Sequence, residues 1–138
     1  MLWVGVQVGI TGAGNVSKAL WGQGSRLAES RRPLRDSLTV PENSPFRDVS
    51  MRNHFEHYDE RLDRWWRESP NHNHLDRMIG PPSGVVGLDD LDRFRVYDPT
   101  TNDVVFWGER FNRQAIATEA ERLLPIAETE AAKPHWEA

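Results

Sequence analysis

The chain has 138 residues, 38% of them hydrophobic and 28% charged, with no cysteine and a formal charge of -4. A chain of this length makes one domain and buries roughly 68–70% of its unfolded surface, so it can build a core without staples. The missing cysteine excludes a disulfide framework, thiolate metal ligation and a thiol nucleophile. The negative charge argues against a general nucleic-acid coat.

Residues 1–22 carry one charge, Lys18. They lack the basic start and cleavage site of a secretory signal, and Gln7, Asn15, Ser17 and Lys18 interrupt the run before it reaches the ~20 apolar residues of a span. A soluble, cytoplasmic protein with no membrane partner is expected. The same residues support two local readings. Leu2, Val4, Val6, Val8 and Ile10 alternate with small or polar residues as in a strand, and residues 12–17 then approximate a degenerate glycine-rich turn. Alternatively, Trp3, Val6, Ile10, Ala13, Ser17 and Leu20 form one stripe of a buried helix.

Ser25 to Leu38 makes a short amphipathic helix through Leu27, Leu34 and Leu38, which Pro33 kinks or restarts. Pro41, Asn43, Ser44 and Pro45 mark a loop. The strongest helix runs from Asp48 or Ser50 to Glu68, with Phe55, Tyr58, Leu62, Trp65 and Trp66 at helical spacing and a self-paired charged face opposite. Residues 69–92 read as an irregular loop. A hairpin follows, residues 94–97 and 104–107 flanking a turn that holds Pro99 and Asn102. The last helix starts after Asn112 and carries Ile116, Ala120, Leu123 and Ala127, with Pro125 a kink or an end. The whole reads as a single domain over 1–138: a helical core over 2–68, the loop over 69–92, hairpin plus helix over 93–127, and a frayed tail over 128–138.

The densest chemical constellation is Arg52-Asn53-His54-Phe55-Glu56-His57. An imidazole titrating near neutrality can move protons at a ribose 2′-hydroxyl or a leaving 5′-oxygen, and a guanidinium can hold the phosphate between them. In a regular helix Arg52 and His57 diverge by roughly 140° and ~7.5 Å, so they converge only if Arg52 reaches around the first turn. The bland alternative pairs Arg52 with Asp48 or Glu56 and leaves His57 structural.

Arg52-Asn53-x-x-x-His57 at a helix start resembles the R-x4-6-H signature of the HEPN superfamily, and the resemblance extends over roughly residues 2–68. It implies a mainly α, HEPN-like helical bundle, here with a C-terminal β-hairpin and terminal helix, and a helix over residues 2–22. It also implies a homodimer whose two motifs face each other and a metal-independent endoribonuclease or toxin-like RNA-binding protein. His57 would be the general acid/base, Arg52 the phosphate clamp, and Asn53 would orient His57 or touch substrate. RNA and an antitoxin-type protein are the implied partners. The superfamily also contains members without nuclease activity, so the competing expectation is a catalytically inactive binding or assembly module. The two differ in whether Arg52 and His57 stand exposed in one cleft or are buried or paired.

Outside the motif, residues 1–77 carry 11 basic against 10 acidic residues and residues 78–138 carry 6 against 11, so any polyanion site belongs to the first part. Arg26, Arg31, Arg32 and Arg35 are its best candidates for phosphate contacts. Trp65 and Trp66 are a pair that could stack on bases. His72, His74, His54, His57 and Asp76 have the chemistry of a zinc or nickel site, but no fixed spacing unites them, and Asp89-Asp90-x-Asp92 lacks the glycine and closing glutamate of an EF-hand loop. No metal and no cofactor is assigned.

Overall fold

The structure, a computed structural model, describes residues 1–134. The chain forms two compact units, one of residues 1–11 and 49–113, the other of residues 12–48 and 114–138. Neither follows the divisions expected at residues 68 and 92. Helix α1 (Leu2–Trp21) gives its first half to the first unit and its second half to the other.

The α1 segment is a helix because burial decides between its two patterns. Val6, Ile10, Ala13, Ser17 and Leu20, spaced by three and four, are all buried, whereas Val4 and Val8, which a strand would have placed with Val6, remain 63% and 66% exposed. Tertiary packing thus overrides the valines' local preference.

In the first unit α4 (Ser50–Glu56) and α5 (Tyr58–Glu68) replace the single long helix expected there. The break is one residue wide, at His57, whose φ of -107° and ψ of 38° leave the helical basin. The hydrogen bonds continue through it, from His57 N to Asn53 O and from Arg61 N to His57 O. Below the helices lies a four-stranded mixed sheet in the order β1 (Met78–Ile79), β2 (Val96–Asp98), β3 (Asp103–Phe106), β4 (Glu109–Asn112). β1 pairs parallel to β2, with Met78 beside Val96, and the other pairs are antiparallel. Trp107 and Gly108, at φ 52° and 79°, make the two-residue β3–β4 turn, whose twist requires positive φ at both positions. A Cβ on Gly108 would sit 2.7 Å from an Asp90 carboxylate oxygen. Phe94, Val104 and Phe106 from the sheet region meet Val6, Ile10 and Met51 in one core, with Phe55, Tyr58, Leu62 and Trp65 packed against it.

The expected HEPN-like helical bundle with a hairpin appendage is overturned by this sheet. Helices dominate, but the strands pass through the core rather than hanging from it, and β1 with two short 3-10 turns, Pro82–Gly84 and Asp90–Asp92, lies inside the segment expected to be an irregular loop.

In the second unit α2 (Ser25–Ser30) and α3 (Arg32–Ser37) are separate helices, because Pro33 falls in the first turn of α3, where its missing N–H costs nothing. Helix α6 (Arg113–Ala131) continues through Pro125. Residues 128–131 are therefore helical rather than part of a frayed tail, and residues 135–138 of that tail lie outside the described residues. No helix among the described residues is long and apolar enough to cross a membrane.

Candidate functional site

Arg52 lies in α4, four residues before Glu56, and the two side chains close on each other. Nε donates to Oε1 at 2.9 Å and Nη2 to Oε2 at 3.2 Å, a bidentate pair that leaves the arginine side chain 11% exposed. His57 occupies the break after α4. Its side chain is 51% exposed, with Nδ1 3.5 Å from Glu60 Oε1. Asn53 is half-buried, and its carbonyl receives the His57 N–H. The motif's guanidinium is thus occupied by a carboxylate, while its imidazole faces solvent beside another.

The histidine wired into the fold is the neighbouring His54. It is buried, stacked on Phe106 at 4.6 Å with 4° between the ring planes, and edge-on to Trp107. Arg61 Nε donates to its Nδ1 at 3.0 Å, which leaves the ring hydrogen on Nε2 to donate to Glu109 Oε2 at 2.8 Å. Both ring nitrogens are thereby satisfied, and the group ties α4, α5 and β4 together. Arg61 lies seven residues from His54, on the same helical face, so half of this arrangement is visible in the spacing. Glu109 is 55 residues away and no local pattern announces it.

A second polar cluster joins α5 to the loop before β1. Asp76 accepts from Arg95 Nε at 2.8 Å, from Arg95 Nη2 and from the Arg95 backbone N–H, and the guanidinium lies 4.5 Å over the Tyr58 ring. Burial alone would raise the Asp76 carboxyl, but the Arg95 hydrogen bonds and charge outweigh it and hold the carboxyl below its ordinary range. Burial, then the Asp76 charge, pushes the Tyr58 hydroxyl up to about 12. Tyr58 Oη and His74 Nε2 are 3.1 Å apart. Arg95 also edges a cleft of about 440 Å³ whose other walls include Trp3, Val8, Phe55 and Arg77. Arg77 makes no ion pair among the described residues.

Asp92 is the most deeply buried acid of this unit. Its Oδ1 accepts from Ser69 Oγ at 2.6 Å and Trp65 Nε1 at 3.0 Å. That spends the indole hydrogen of Trp65 on the fold, whereas Trp66 is 64% exposed and stacks on His72 at 4.4 Å. Among the described residues no three histidine or carboxylate side chains converge to hold a metal ion.

In the second unit the four arginines offered for phosphate are used differently. Arg35 is buried, donates to Leu20 O at 2.8 Å and Ala28 O at 2.7 Å, and lies 5.5 Å over the Trp21 ring. Arg31 holds the carbonyls of Lys18 and Ala19. The carbonyls of Lys18, Ala19 and Leu20 belong to the last turn of α1, whose oxygens have no partner within the helix, so the two guanidiniums cap it. Arg32 pairs with Glu29 at 2.8 Å. Only Arg26 of the four makes no such bond among the described residues and stands fully available to a phosphate.

No protein-family model, curated protein or solved structure matches this chain.

Proposed function

We propose that this chain is a catalytically silent binding or assembly module. The observation that carries the reading is the double hydrogen bond between Arg52 and Glu56. A phosphate clamp must present an open guanidinium, and a bound phosphate would have to displace a carboxylate already seated there in bidentate geometry. Glu60 beside His57 adds a second negative charge where an RNA backbone would approach. Three of the four remaining candidate arginines likewise serve carbonyls or a carboxylate of the chain itself. Kinship with the HEPN superfamily, carried by Arg52-Asn53-x-x-x-His57 alone, belongs to this proposal as that of a member without nuclease activity. A second copy or an antitoxin-type protein in the cytoplasm would be its partner.

One observation favours the nuclease reading, the half-exposed ring of His57. In that reading His57 takes the 2′-hydroxyl proton while the 2′-oxygen attacks phosphorus, and the P–O5′ bond breaks with the 5′-oxygen taking a proton from water, leaving a 2′,3′-cyclic phosphate. Arg52 would turn from Glu56 to the phosphate, and Asn53 would hold the ring or the substrate. The deciding experiment incubates a mixed RNA with folded wild type and His57→Ala in EDTA. Intact RNA in both is expected; cleavage that disappears with the histidine overturns the silent module and establishes a metal-independent ribonuclease.

A further inference from the structure

The second unit holds an apolar groove of about 330 Å³ between the second half of α1, α3 and α6, lined among others by Val16, Ala19, Leu34, Leu38, Leu123 and Leu124. Val16, Leu34 and Leu124 are 37%, 43% and 60% exposed, so they form an open rim rather than a closed core. Ala19 is shared with an adjoining cleft of about 370 Å³ lined by Lys18 and Arg31. An apolar depression thus meets, at Ala19, a second one edged by two cations.

Neither cation has a carboxylate partner among the described residues, since Arg31 bonds only carbonyls. The chain carries the complement itself. On α6 Glu121 precedes Leu124 by three residues and Glu128 follows it by four, so the three share one exposed stripe. Neither glutamate side chain has a cationic partner among the described residues. A surface that carries both an apolar-basic depression and an apolar-acidic ridge is complementary to its own copy under a two-fold rotation, where each contact occurs twice.

We propose that this groove is a homodimer interface: the Glu121–Leu124–Glu128 stripe of each copy seats against the groove of the other, its carboxylates facing Lys18 and Arg31. The proposal rests on the assembly-module reading and names its partner as a second copy of this chain. It uses residues of the second unit and none of helix α4, unlike a dimer built on facing motifs.

Sedimentation equilibrium of the full chain over a micromolar series tests it, with circular dichroism to confirm folding. Wild type is expected to dimerise and Leu124→Glu to remain monomeric. Because Leu124 also lines the groove, two variants confined to charged side chains keep the test clear of misfolding. Lys18→Glu alone and Glu121→Lys/Glu128→Lys alone should each weaken self-association about tenfold or more, and an equimolar mixture of the two should regain part of it, since one contact then has its wild-type charges and at the other the carboxylate at position 18 meets a lysine while Arg31 remains opposed. A monomeric wild type overturns the proposal. So does a dimer that neither Leu124→Glu nor the charge reversals disturb. In both cases the silent-module reading stands or falls separately, on the RNA incubation.

Discussion

Phe94, Val96, Val104 and Phe106 of the first unit are fully buried, whereas Leu34 and Leu124 of the second leave 43% and 60% of their surface to solvent. The first unit can close its core because a sheet offers a continuous wall for helices α1, α4 and α5. The second has only helices, two of them six residues long, and its short elements are held by arginine side chains on backbone carbonyls. The first unit exposes apolar side chains too, Val4, Val8, Ile79 and Val86 among them, but outside a core that is fully closed. In the second the exposed Val16, Leu34 and Leu124 edge one groove, the kind of patch an interface uses.

The comparison breaks most sharply at Phe106. Phe106→Ala removes a ring that touches His54, Phe55, Tyr58, Phe94 and Trp107, and urea unfolding should show a loss of about 3–5 kcal/mol. An effect below about 1 kcal/mol would mean that the first unit does not depend on its core as argued. On the other side, Arg35→Met keeps the length of the chain but deletes two charge-assisted bonds and the contact with Trp21. A loss of about 2–4 kcal/mol is expected by the same measurement. If Arg35→Met were neutral, the polar ties would not be what holds the second unit.

The smallest effect is confined to alkaline solution. Because the Tyr58 hydroxyl is raised in the folded state, the stability it contributes is fully present below about pH 10 and is lost as pH rises through about 12. Ultraviolet titration of tyrosinate should show a step near 12 that Tyr58→Phe deletes. The opposite sign applies to Asp76, whose lowered carboxyl contributes above its ordinary range and ceases to do so as acid protonates it.

What was legible in the sequence follows from the range of the forces involved. The restart at Pro33 could be read because a proline's missing N–H is a local fact, whereas α1 carries a strand alternation beside its helical stripe and only packing separates the two. The break at His57 could not be read, because neither proline nor glycine marks it. Met78 and Ile79 make too short a strand to show alternation, and their partner lies across residues 80–95. The site divides in the same way. Arg52 and Glu56, four apart, were an evident pair, and the bland alternative named them. His54 stands out in the sequence only as one of five scattered candidate metal ligands, because its partners, Glu109 and Phe106, come from strands more than fifty residues on.

The turn at Trp107 and Gly108 has a consequence for the order in which the sheet assembles. β3 and β4 are joined by two residues and β2 and β3 by four, so closing these ladders costs little chain entropy. β1 must cross residues 80–95 to lie parallel to β2. Loop-closure cost thus favours the antiparallel meander as the early template and the parallel strand as the late addition. The amides of Met78 and Gly80, which bond Arg95 O and Tyr97 O, should be the last of the sheet to gain protection during refolding and the first to exchange in the native state, as pulse-labelled hydrogen exchange would show.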